Sequence, residues 1–171
     1  MEDKKMKVYQ LRSVGKLGKY FGVACGLVVV TASAASACPN LDGQWTCVYD
    51  GSFGHKEFNF EMKTTTDRSG TVYVTNGESI YTDGEQHHVD KLPILDQFAN
   101  NFDYVATCEG DVINLSGSGT VTKPGLGNGM TADMVGTLTL DNPTLVSTKF
   151  NVSVGFFFSE DFDVPCNKVA N

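Results

Sequence analysis

Strict alternation of apolar and polar side chains constrains this chain more than any other feature. From Met130 onward, Ala132, Met134, Gly136, Leu138 and Leu140 fall on one parity, and Thr131, Asp133, Val135, Thr137 and Thr139 on the other. Val146, Thr148, Phe150, Val152 and Val154 oppose Ser147, Lys149, Asn151 and Ser153 in the same way. Phe58, Phe60 and Met62 oppose Glu57, Asn59, Glu61 and Lys63. Successive side chains of a strand point to opposite faces, so each segment is expected to bury one face in a core. Residues 102–108 and 112–118 alternate again across Glu109-Gly110, and 71–75 resume β character after the turn-rich Asp67-Arg68-Ser69-Gly70.

The punctuation between these segments is short. Asn76-Gly77 and Asp83-Gly84 both read as two-residue hairpin turns, bracketing residues 78–82. Asp141-Asn142-Pro143 turns the chain again; Phe156-Phe157-Phe158, Phe162 and Val164 are expected to close the fold, with Pro165 stopping the last strand. Residues 85–100 are less regular, with Ile94, Leu95, Phe98 and Ala99 spaced for a short helical turn. The glycine-rich stretch 123–129 reads as a flexible loop at a barrel mouth. Eight to ten short strands with no internal repeat predict an all-β fold, an antiparallel meander. Closure into an up-and-down barrel is how such a chain avoids exposed edges.

Ahead of this pattern, residues 1–37 read as an export signal. Lys4, Lys5, Lys7, Arg12, Lys16 and Lys19 form a basic region, residues 21–35 carry no charge, and Ala35-Ser36-Ala37 offers small residues for cleavage. The apolar run is short for a hydrocarbon core roughly 30 Å thick, so no integral membrane association is expected after cleavage. Lipoprotein processing would instead acylate Cys38, but Ala35 stands where leucine is usual. Residues 38–171 are then expected to form one exported domain, periplasmic or secreted.

The composition of that domain agrees. The leader holds six of the thirteen basic residues and two of the twenty acidic ones, so seven basic and eighteen acidic residues remain, a net charge of −11. That sign repels phosphate backbones and anionic membrane surfaces, and no nucleic-acid partner is expected. Cys38, Cys47, Cys108 and Cys166 are an even set in an exported chain, which predicts two disulfides. Of the three connectivities, Cys38–Cys47 with Cys108–Cys166 is preferred, because the first pair is close in sequence and the second ties down the C-terminus. No Cys-x-x-Cys or paired Cys/His spacing suggests zinc.

Leu41, Gly43 and Trp45, the only tryptophan, open the first alternating segment, with Cys47 and Tyr49 on the parity of the tryptophan. Gly43-Gln44-Trp45 resembles the Gly-x-Trp signature at the first strand of the lipocalins, and Asp103-Tyr104 is similar to that family's second motif. The resemblance implies a calycin-type barrel that carries a small hydrophobic molecule. Lipocalins also place an arginine near the last strand, packed over the tryptophan; the only arginine after the leader is Arg68. Avidin-type barrels share the Gly-x-Trp start, but line their biotin site with several tryptophans.

Chemistry of other kinds finds little support. His87-His88 with Asp90, and with His55 more remote, is the only metal-like cluster, and adjacent strand residues face opposite ways, so no metal site is expected. There is no Gly-x-Ser-x-Gly elbow and no phosphate-cradling loop, so no catalytic residue and no cofactor are assigned. An eight-stranded barrel either fills its interior or holds one small ligand. The expectation is a non-enzymatic binder of a small apolar ligand, with Trp45, Tyr49, Phe58, Phe60, Tyr104 and Phe150 as cavity candidates and Trp45 as the floor. The alternative is a filled barrel acting as a structural or protein-interaction module, inhibitor-like in one variant.

Overall fold

Each alternating segment becomes a strand in the computed structural model, which describes residues 38–52, 54–92, 95, 99–123, 125 and 127–170. The ten strands are β1 Gly43–Gly51, β2 Gly54–Thr66, β3 Thr71–Thr75, β4 Glu78–Tyr81, β5 Asp83–Val89, β6 Ala99–Glu109, β7 Val112–Val121, β8 Thr131–Asn142, β9 Leu145–Val154 and β10 Phe158–Lys168. All ladders are antiparallel, in the order β4-β3-β2-β1-β10-β9-β8-β7-β6-β5, and the result is a nearly closed barrel. No helix occurs among the described residues. The leader expected at 1–37 lies outside them, as do Ile94 and Phe98 of the expected helical turn. Of that turn, the Leu95 N–H donates to the Leu92 carbonyl and the Ala99 N–H to that of Leu95.

The inward parity is the one the sequence predicts. Trp45, Cys47 and Tyr49 from β1 meet Phe60 and Met62 from β2, Ala132 and Met134 from β8, Val146, Phe150, Val152 and Val154 from β9, and Phe162, Val164 and Cys166 from β10. The Phe150 and Phe162 rings stack at 4.8 Å, and Tyr49 lies 5.2 Å from Phe162. Bulk is offset by glycine on the neighbouring strand. A Cβ on Gly119 would lie 2.6 Å from the Phe102 ring, and one on Gly136 would press on Phe150. Large rings thus lie over bare backbone, the large-against-small fit that lets a sheet curl tightly.

Three expectations need correction. Asn76-Gly77 does form a tight turn between β3 and β4, with both residues at positive φ (50° and 86°). Asp83-Gly84 does not make a hairpin: β4 and β5 are the two edge strands of the sheet and pair with β3 and β6 instead. Thr82 bends the chain from one edge to the other, held by its N–H and its hydroxyl on the Thr71 carbonyl at 3.3 and 2.9 Å. Asp83 accepts the Glu85 N–H at 3.0 Å, an Asx turn in place of a hairpin. Second, Pro165 does not end the last strand. β10 continues to Lys168 because residues 166–168 pair with β1; Pro165 falls just outside that ladder, where a strand proline is tolerated.

Third, the disulfides are Cys38–Cys108 and Cys47–Cys166. Sequence proximity did not decide the pairing; strand order did. β1 lies beside the last strand, so Cys47 stands opposite Cys166 with their Cα atoms 4.0 Å apart. Cys38 precedes β1 and crosses to the end of β6, beside Thr82. This second bridge pins the seam where the two edge strands approach.

The seam is also closed by a side chain. The Tyr104 hydroxyl, from β6, accepts the Tyr81 N–H at 3.0 Å and donates to the Ser79 carbonyl at 3.3 Å. Tyr81 stacks on His87 of β5 at 4.5 Å, so β4 and β5 are joined through rings where no ladder joins them. Burial pushes the Tyr104 phenol above its ordinary pKa, which keeps this donor protonated.

Candidate functional site

Residues 38–42 run across one end of the barrel before β1 begins. Leu41 is buried there, its N–H donating to Thr64 Oγ1 at 2.9 Å. Its carbonyl accepts Trp45 Nε1–H at 2.8 Å, which satisfies the one polar atom of a buried indole. Tyr73 donates its hydroxyl to the Pro39 carbonyl at 2.8 Å, and burial drives its pKa well above the usual phenol range. These three bonds fix the segment as a plug under the barrel.

Above the plug is a partly open space of about 110 Å3. Its wall is built mainly from Leu41, Phe60, Met62, Tyr73, Ile113, Leu115, Met134, Leu138 and Phe150, with Leu92 and Leu95 also contributing. Thr148 is one of its few polar wall residues, and Thr148 Oγ1 has no hydrogen-bond partner among the described residues. A dry apolar void of about 150 Å3 takes up benzene or xenon, so a space of this order suits one compact apolar molecule and not a long chain.

Of the six cavity candidates, Phe60 and Phe150 line this void. Trp45 lies below Leu41, so the leucine forms the wall at that end; Lys168 Nζ sits 5.6 Å from the centre of the indole. Tyr49 is packed on Phe162, and its hydroxyl donates to Glu160 Oε1 at 2.9 Å. Phe58 is half-buried opposite Cys47, and Tyr104 belongs to the seam. Met62, Leu115 and Met134 were legible as inward residues from their parity. Leu41 shares the parity of Gly43 and Trp45 but precedes the strand, and Leu92 and Leu95 lie where no period of two runs.

A second, larger depression of about 540 Å3 opens on the outer face of β6 to β10. Val105, Val135 and Leu115 form part of its floor, and Lys149, Asn151, Asp161 and Asp163 stand on its rim. Lys149 pairs with Asp163 at 3.8 Å, and Asn151 Nδ2 donates to Asp161 at 2.9 Å. Gly136, Leu115 and Phe150 border both spaces, so the wall between them is one strand thick at a residue without a side chain.

The histidines turn to separate partners. His87 Nε2 lies 2.9 Å from Asp83 Oδ1, while His88 Nδ1 lies 2.9 Å from Asp103 and its Nε2 3.5 Å from Asp90. The Asp103 hydrogen bond holds His88 above its ordinary pKa. Asp83 is held below the usual carboxylate range, first by the Glu85 N–H and then by His87. No group of three His, Cys, Asp or Glu among the described residues is arranged to hold a metal.

Comparison with protein-family models, curated proteins and solved structures finds no match for this chain.

Proposed function

We propose that this chain is an exported, non-enzymatic, lipocalin-like binder of a small apolar molecule, held in the void between the Leu41 plug and Phe150. The void carries this reading: about 110 Å3, walled almost wholly by aliphatic and aromatic side chains. Apolar surface of that kind gains from a ligand that displaces little ordered water. Lys168 over Trp45 supports the resemblance, since it supplies near the last strand the cation that lipocalins provide as arginine. Two disulfides suit an oxidising compartment. No helix of the described residues is long and apolar enough to cross a membrane.

The test is benzene, toluene and indole titrated into the oxidised protein, followed by methyl resonances and thermal midpoint. Shifts are expected at Met62, Leu115 and Met134, with a stabilisation approaching about 2.7 kcal/mol at a hundredfold excess over Kd. Trp45 fluorescence is a poor reporter, because the indole lies outside the void. Ile113→Phe, which puts a ring into the space, is expected to abolish uptake while the barrel stays folded. Methyl resonances unmoved by all three compounds would refute the reading.

One observation favours a second reading, a protein-contact module: the open outer depression beside Val135, which is 65% exposed. In that case Val135→Asp would leave the methyl shifts intact and weaken contact with the partner.

A further inference from the structure

The β9–β10 hairpin ends in a three-residue turn, 155–157, closed by the Phe158–Val154 pair and a Phe157 N–H to Val154 carbonyl bond of 3.3 Å. Gly155, at φ 53°, supplies the left-handed position. The next two residues, Phe156 and Phe157, do not close the fold as expected but precede β10 in the turn, 103% and 88% exposed. Two neighbouring phenylalanines at the turn have given up almost none of their apolar surface to the fold. Met130, 40% exposed, reaches the same place from the β7–β8 loop: a Cβ on Gly155 would lie 3.6 Å from Met130 Cε and 3.9 Å from the Phe157 ring.

Charge sharpens the observation. Residues 150–159 contain no Asp, Glu, Lys or Arg, and neither do residues 124–132, in a domain that is otherwise strongly acidic. The first charges behind the tip along the hairpin are Lys149 and Glu160. On the neighbouring strand Asp133 stands opposite Ser153, about 7 Å behind Phe157. Glu160 pairs with Val152, two ladder steps behind Phe158. At about 3.3 Å per residue, Glu160 lies about 10 Å behind Phe157. Elements that lie in a bilayer interface bury their apolar side about 5–10 Å into the headgroup–acyl boundary. About 7–10 Å without charge thus lies behind the tip, with Asp133 and Glu160 at its inner limit.

We propose that the 155–157 tip, flanked by Met130, anchors the barrel peripherally on a zwitterionic lipid surface. A protein partner is the less fitting occupant. Aromatic anchors of protein interfaces sit within a rim of polar groups, at about one hydrogen bond per 100–200 Å2. Here the exposed side chains of the turn are two rings and nothing polar. Anionic lipid is disfavoured too, because a domain of net charge −11 is repelled by a negative leaflet. The anchor does not depend on the interior void being occupied.

The experiment is flotation of the protein, as its cells export it, with vesicles of pure phosphatidylcholine, beside Phe156→Ser/Phe157→Ser. Both proteins carry the same N-terminus, so any contribution of residues 1–37 cancels. Each buried ring is worth roughly tenfold or more in partition, so the double variant is expected to lose at least about tenfold of the bound fraction. Its near-ultraviolet circular dichroism and thermal midpoint are expected to be unchanged, since both rings are exposed. Binding is expected to persist in 0.5 M salt and to weaken as phosphatidylserine is added. In Phe157→Trp, emission is expected to shift to the blue only with vesicles, above the constant signal of Trp45. The proposal is overturned if phosphatidylcholine binds neither protein, if both bind equally, or if binding requires phosphatidylserine. It is equally overturned if the wild type is an oligomer that the double serine variant dissolves, which would make a second copy the occupant.

Discussion

Replacing Cys47 and Cys166 together by alanine is expected to cost more than replacing Cys38 and Cys108 together. The chain-entropy relation gives the starting values. Residues 47 and 166 are 119 apart and residues 38 and 108 are 70 apart. Loops of those lengths correspond to about 4.9 and about 4.4 kcal/mol at 25 °C. Native bridges in small secreted domains deliver about 2–5 kcal/mol, so both values are upper figures and the entropic difference between them is small. Burial separates the two. Cys47 and Cys166 are essentially inaccessible inside the core, and their sulfurs leave unfilled volume when removed, whereas Cys38 is only half-buried. Loss of Cys47–Cys166 is therefore expected to lower the urea midpoint further, by an amount that is a large part of a typical total stability of about 5–15 kcal/mol. The assay is equilibrium urea unfolding of the two double-alanine proteins, after mass mapping of the wild-type bridges. Equal midpoints, or a larger loss on removing Cys38–Cys108, would contradict the argument. A Cys38–Cys47 peptide in the map would refute it at the root.

Tyr104→Phe removes the hydroxyl that joins β6 to β4 and leaves the Tyr81 N–H without its acceptor, a cost of about 1–3 kcal/mol; hydrogen exchange at Tyr81 is expected to accelerate while β8 and β9 stay protected. Gly136→Ala forces a Cβ against Phe150 and to within 2.6 Å of the Lys149 carbonyl, so β8 and β9 must separate, at about 1–3 kcal/mol in thermal or urea unfolding. His88 is expected to titrate above about 6.5, and Asp103→Asn to lower it toward that value with Asp90 still in place, as read from its ring proton shifts. The sign follows from the raised folded-state value. The His88 contribution is complete below about pH 6.5 and is lost as pH rises through the higher folded-state pKa, whereas that of Asp83 is present above its ordinary value near 3.8 and lost as pH falls through its lowered one.

Period-two alternation was enough to place the inward face of β2, β8 and β9 residue by residue, and Asn76-Gly77 declared its turn. What alternation lacks is any statement of which strand lies beside which. That is why the cysteine pairing was misread: the bridge partners of Cys47 and Cys38 follow from β1 lying beside β10 and from the seam near β6. The same blindness turned Asp83-Gly84 into a hairpin, since local turn chemistry does not reveal whether the flanking strands pair with each other. In the interior, aromatic bulk was visible, but its placement was not. Trp45 and Tyr104 spend their rings on the plug and the seam, and Leu92 and Leu95, which help to line the void, come from a segment without a repeat.

The adjacency of β1 and β10 also sets a schedule for this molecule. Synthesis delivers β1 first and its neighbour last, so one flank of the opening strand stays bare until residues 166–168 arrive. Contacts this remote along the chain form slowly, and an exposed strand edge during the wait invites pairing with another chain. A chain cut short before Cys166 would hold a sheet whose two halves were never zipped together.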